Sequence, residues 1–98
     1  MHVRAASYSN GGASPSTGDS SSTSIPPALE RIAQCESGGN PRAVSKSGRY
    51  RGKYQFDRAT WKRWGGTGDP AAAPESVQDR IALKLYRARG TDPWPNCG

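Results

Sequence analysis

Two cysteines, Cys35 and Cys97, stand near opposite ends of the one stretch of this chain that can fold, and that placement constrains the architecture more than any other feature. Residues 1–24 are rich in Ser, Gly, Asn and Thr and nearly free of large apolar groups. They cannot bury enough surface to offset chain entropy and read as a disordered tail or linker. Residues 25–98 remain for a single small domain, and a core of that size is marginal without a covalent or metal staple. Two cysteines are too few for a structural zinc site, and the only histidine, His2, lies in the tail. A disulfide is the natural use of the pair and would imply an oxidising compartment. Two unpaired buried thiols are the alternative. Closing a loop of roughly 60 residues would stabilise the fold by about 4 kcal/mol in the chain-entropy model.

The order of breakers and apolar positions predicts a mostly helical α+β domain. Pro26-Pro27 suit the start of a first helix over 27–37, which Gly38-Gly39 end. Residues 42–55 lack helical periodicity and contain Gly48 and Gly52, so they read as a loop or a short irregular hairpin over a cleft. Asp57 is placed to cap a short helix over 58–64, which Gly65-Gly66 stop, and 67–73 is a loop. The longest helix covers 74–89, with Val77, Ile81, Leu85 and Ala88 as its apolar face and Gly90 as its stop. The segment Asp92-Pro93-Trp94-Pro95-Asn96-Cys97 is too rich in proline for regular structure, so Cys97 and the packing of Trp94 must tie it down.

Glu36 is out of place on the first helix. It shares a face with Leu29, Ile32 and Ala33 at i, i+3, i+4 and i+7 spacing. A carboxylate held against apolar neighbours loses solvation of its charged form, and its pKa rises. Such a group can donate a proton near neutral pH, the general-acid task in glycoside cleavage. The plainer alternative is a helix-end glutamate whose side chain swings out to water.

The net charge is +6, and its placement says more than its size. Arg42, Lys46, Arg49, Arg51, Lys53, Arg58, Lys62 and Arg63 crowd a stretch with the single acid Asp57. An anionic polymer would be attracted there. Nucleic acid is one candidate, because Tyr50, Tyr54, Phe56, Trp61 and Trp64 interleave with the charges. Bacterial wall polymers are another, and a solvated basic face with no partner is the third. No stretch could span a membrane and no N-terminal run of signal-peptide length is present. An exported protein would then be represented here by its mature or a trimmed form.

The blocks Ile32-Ala33-Gln34-Cys35-Glu36-Ser37-Gly38-Gly39-Asn40, Gly52-Lys53-Tyr54-Gln55-Phe56, Thr60-Trp61, Gly65-Gly66 and Trp94-Pro95-Asn96-Cys97 together resemble the resuscitation-promoting factor domain of actinobacteria, a transglycosylase-like domain of the lysozyme superfamily. The match runs in order across nearly all of 28–97. The resemblance implies a compact lysozyme-like fold, a Cys35–Cys97 bridge, and action on peptidoglycan outside the cell, in the cell wall. It also implies muralytic activity that stimulates the regrowth of dormant cells, with glycan strands as the partner and a wall peptidase as a further one. Neither nucleic acid, membrane nor cofactor is expected, and no metal; a monomer is expected. Glu36 matches the catalytic glutamate, Gln55 a cleft glutamine, and Trp61 the tryptophan of the following helix.

The bond to be broken joins N-acetylmuramic acid to N-acetylglucosamine, with Glu36 protonating the bridging oxygen. Hydrolysis needs a second carboxylate, about 5–5.5 Å away for retention or about 6.5–9.5 Å for inversion. Asp57, Asp69 and Asp79 are available, but the resemblance marks none of them as catalytic. A lone glutamate fits a lytic transglycosylase better than a hydrolase. The chain departs from the family in the stretch 45–54, where an expected threonine hydroxyl has no exact counterpart; Ser45 or Ser47 is the nearest substitute. The positive charges in this stretch would oppose the effect of burial on Glu36 if they approached it. Tyr50, Tyr54, Gln55, Trp61 and Ser47 are the candidate substrate-binding residues, with a core role the alternative for Trp61 and a structural amide the alternative for Gln55. A glycan-binding module that has lost turnover is the second functional reading.

Overall fold

A computed structural model describes residues 25–98 of the chain; the tail or linker expected over 1–24 lies outside the described residues. The elements in order are α1 (Pro27–Ser37), α2 (Arg58–Arg63), a single 3-10 turn (Pro70–Ala72) and α3 (Glu75–Arg89). Pro27 opens α1, where its missing N–H costs no helical bond. Gly38 closes it at φ +69°, and the Gly38 and Gly39 amides reach back to the Gln34 and Ala33 carbonyls. Asp57 caps α2 by accepting from the Thr60 amide at 3.2 Å. The expected helix boundaries hold within one residue, with Trp64 and Pro74 as flanking caps rather than helical residues. The loop over 67–73 contains the 3-10 turn, because Asp69 accepts from the Ala71 amide and Pro70 suits its first position.

The segment between α1 and α2 is the irregular hairpin. Isolated antiparallel bridges join Val44 to Arg51 and Arg51 to Phe56, and no longer strand forms among the described residues. Gly52 sits at φ +89° in its turn, and a Cβ there would meet Gln78 Oε1 at 2.5 Å, so only glycine fits.

The core joins Leu29, Ile32 and Ala33 of α1 to Ile81, Ala82 and Leu85 of α3 through an aromatic layer of Tyr54, Phe56, Trp61 and Trp94. Phe56 and Trp61 pack in a tilted pair at 5.2 Å between centroids, and Tyr54 contacts Phe56 and Trp94 at 6.0 and 6.3 Å. The buried face of α3 differs from the expected one. Ala88 is exposed and Val77 only half-buried, whereas Gln78 and Asp79 are buried. Their polar groups are matched from the hairpin. Gln78 accepts from the Lys53 amide at 2.7 Å and donates to the Pro41 and Ala73 carbonyls. Asp79 accepts from Lys53 Nζ at 2.9 Å and from the Tyr54 hydroxyl at 2.6 Å. An apolar-face reading of α3 misses these residues because it cannot see their partners.

The Cys35–Cys97 disulfide forms, with Cα atoms 5.7 Å apart. Trp94 donates to the Tyr54 carbonyl at 3.2 Å, so the proline-rich C-terminal segment is tied at two points. No helix of the described residues is long and apolar enough to cross a membrane.

Candidate active site

The C-terminal segment, the hairpin and the ends of α1, α2 and α3 enclose a groove of about 390 Å³. Glu36 lines it from the last turn of α1. The apolar stripe that places Leu29, Ile32 and Ala33 in the core carries Glu36 with them, leaving it 9 % exposed. Burial pushes its carboxyl up to about 7. The basic stretch does not counter this. Arg51 is held by Asp69 through two hydrogen bonds of 2.7 and 3.0 Å, and Lys53 lies between Asp79 and Glu75. Their charges are matched locally, so burial governs Glu36.

The disulfide closes the site. Glu36 follows Cys35 and Asn96 precedes Cys97, and both line the groove. One covalent link therefore ties Glu36 to the part of the wall formed by Pro93, Trp94, Pro95 and Asn96. Gln55 also lines the groove, 7 % exposed and at φ +54°, an uncommon conformation for a residue with a Cβ. Its amide nitrogen donates to the Gly52 and Ala43 carbonyls at 3.0 and 3.3 Å, which fixes the side chain in place. Gln55 is thus both a structural amide and a groove residue. Tyr50 lines the groove as expected, with the Arg49 guanidinium 5.3 Å from its ring centre.

Three expected contact residues stand elsewhere. Tyr54 is fully buried in the core, its hydroxyl taken by Asp79 and its own ionisation pushed far up by burial and by that carboxylate. Trp61 is 1 % exposed and donates to the Thr67 carbonyl at 3.1 Å, so the core alternative holds for it. A domain this small needs its largest rings inside. Ser47 is exposed in the hairpin turn, where its hydroxyl pairs with Ser45 at 3.3 Å and accepts from the Arg49 amide. Ser45 is engaged in the same turn through the Tyr50 amide. Neither serine lines the groove; the aliphatic hydroxyl that does is that of Thr60.

Asp57, Trp64, Arg63 and Arg89 line the groove without having been expected there. Trp64 stands one helical turn beyond Trp61, half-buried, and takes the groove position assigned to its neighbour. Residues 93–96 were within reach of sequence reasoning, since a Cys35–Cys97 link alone carries them to Glu36. Arg89 had no such signal. Of the three aspartates, Asp69 is paired with Arg51, which holds it below the usual carboxylate range, and Asp79 lies in the core. Asp57 alone of the three lines the groove.

A mostly helical domain with little strand, one disulfide and a buried acid in an open groove falls in the lysozyme-like α+β class. More narrowly, the chain belongs to the transglycosylase-like domain family, whose model matches residues 24–97. It is 46 % identical over 72 residues to resuscitation-promoting factor RpfC of Mycobacterium tuberculosis, covering 74 % of this chain and 51 % of the relative. It is 48 % identical over 71 residues to the probable transglycosylase SceD of Staphylococcus epidermidis, covering 67 % and 32 % of the two chains. Against SceD of Staphylococcus aureus strain Newman the identity is 44 % over 81 residues, covering 78 % and 35 %. The chain thus spans about half the length of the first relative and about a third of the others. The resemblance to the resuscitation-promoting factor domain is borne out.

Proposed function

We propose that this domain cleaves the glycan backbone of peptidoglycan outside the cell, with Glu36 as the general acid. The observation that carries the reading is a carboxyl raised to about 7 by burial at the wall of an open groove. Such a group is still substantially protonated near neutral pH, and it lines the groove where a strand would lie. Its proton goes to the oxygen joining N-acetylmuramic acid to N-acetylglucosamine as the bond from that oxygen to the muramic C1 breaks. In the lytic route the muramic 6-hydroxyl then bonds to C1, and the Glu36 carboxylate takes the hydroxyl proton. The products are a free 4-hydroxyl and a 1,6-anhydro end, and Glu36 returns to its starting state.

The single-acid route is preferred to hydrolysis because Asp57 accepts from the Thr60 amide as the cap of α2. The name of the similar resuscitation-promoting factor extends the proposal to regrowth of dormant cells, and the name of the probable transglycosylase SceD supports the lytic transglycosylase route. Mass spectrometry of the muropeptides released from purified walls tests the route: 1,6-anhydro ends are expected, and reducing ends would assign a hydrolase. Walls left intact by the parent protein would leave the glycan-binding module as the reading, which the displacement of Ser45 and Ser47 from the groove favours.

A further inference from the structure

Three cations of the basic run are engaged within the fold. Arg42 donates to the Ala71 carbonyl at 3.1 Å, Arg51 is fixed on Asp69, and Lys53 is buried against Asp79. Two arginines line the Glu36 groove instead. Arg63 comes from the last turn of α2, and Arg89, which lies outside the run, comes from the last turn of α3. Both are exposed, and neither makes an ion pair among the described residues.

The groove's acids do not account for them. Asp57 faces the Thr60 amide, and among the described residues Glu36 forms no ion pair with either arginine. An uncharged sugar backbone has no need of two guanidinium groups. Their planar, forked donors match a carboxylate or a phosphate in two-point contact.

We infer that Arg63 and Arg89 hold an oxyanion carried by the glycan strand beside the bond to be cleaved, a carboxylate of the peptide stem or a phosphodiester of an attached polymer. The arginines then select charged strands over bare ones and fix the strand's register against Glu36. This rests on the groove being the glycan site but not on turnover.

The test measures binding to purified wall sacculi in the Glu36→Gln background, where cleavage plays no part. Arg63→Gln, Arg89→Gln and the double variant are compared with Lys62→Gln, a neighbouring exposed cation that does not line the groove. The double variant is expected to bind at least about tenfold more weakly, with a shallower salt dependence, and Lys62→Gln within about twofold of the parent. Sacculi stripped of stem peptides by an amidase and sacculi stripped of phosphodiester-linked polymers by hydrofluoric acid identify the source. The preparation on which the difference between parent and double variant collapses is the one lacking the anion. Equal binding by parent and double variant on intact walls overturns the inference. So does an equal loss in Lys62→Gln, or a difference that persists on strands stripped of both groups. Anhydro-product release by the Glu36-bearing protein is read separately, so a domain that binds by charge yet cleaves nothing would overturn the proposed reaction and leave this inference standing.

Discussion

The Ser37 hydroxyl donates to the Lys53 carbonyl across a 2.7 Å hydrogen bond, joining the residue after Glu36 to the turn that carries Gln55. The same hydroxyl lies 3.2 Å from the Ala33 carbonyl of its own helix. Two groove residues from separate elements are thereby held in register by one small buried side chain. Ser37→Ala leaves the buried Lys53 carbonyl without this donor and should destabilise the domain by about 1–3 kcal/mol. Denaturant unfolding measures the loss, and an unchanged midpoint would show that the bond contributes nothing net.

Glu36→Gln keeps the shape of the side chain and removes the proton. Activity on labelled walls should fall by at least about 100-fold, the lower end of what a positioned general acid contributes. In the parent the rate should decline as pH rises through about 7, the value to which burial raises the carboxyl. A variant that clears walls as fast as the parent would eliminate Glu36 as the acid.

The same shift sets a stability profile. Below the ordinary carboxylate value of 4.5 Glu36 is protonated whether folded or unfolded, and no burial penalty arises. Between there and about 7 the unfolded chain releases the proton while the folded chain retains it, so stability declines as pH rises. Above about 7 the folded state carries a buried charge and the decline levels off. Glu36→Gln, which cannot ionise, should therefore melt higher than the parent at pH 8 and gain little at pH 4. Thermal melts of the two proteins across this range provide the check.

Trp61 and Trp64 should separate stability from binding. Trp61→Ala removes a core ring and should cost about 3–5 kcal/mol. Trp64→Ala should leave the domain folded and raise KM severalfold, because Trp64 lines the groove. The opposite pattern would return Trp61 to the substrate side.

Asp57→Asn retains a good helix cap while removing a charge. If Glu36 acts alone, product type is unchanged and the rate stays within about threefold of the parent, since Asn caps as well as Asp. A loss comparable to that of Glu36→Gln would make Asp57 the second carboxylate of a hydrolase.

What was legible in the sequence is what local chemistry dictates. Pro27 and Gly38 bound α1, Asp57 caps α2, and the stripe of Leu29, Ile32 and Ala33 carries Glu36 inward. The cysteines at the two ends of the folded stretch foretold the staple. Periodicity within one helix is enough for such readings. It is not enough to assign a side chain whose surroundings come from distant segments. Tyr54 reads as a groove aromatic until Asp79 and Trp94 enclose it. Trp61 and Trp64 look alike along the chain and differ because Phe56 packs on the first and the Thr67 carbonyl takes its N–H. The basic run looked like one surface, yet Asp69, Glu75 and Asp79 take up two of its cations while Arg89 joins Arg63 from the end of another helix. Local chemistry along the chain was enough for the helices, the staple and the inward placement of Glu36. Which aromatic rings and charges face the groove was settled by folding, because desolvation and ion pairing depend on neighbours brought together in space rather than by position in the chain.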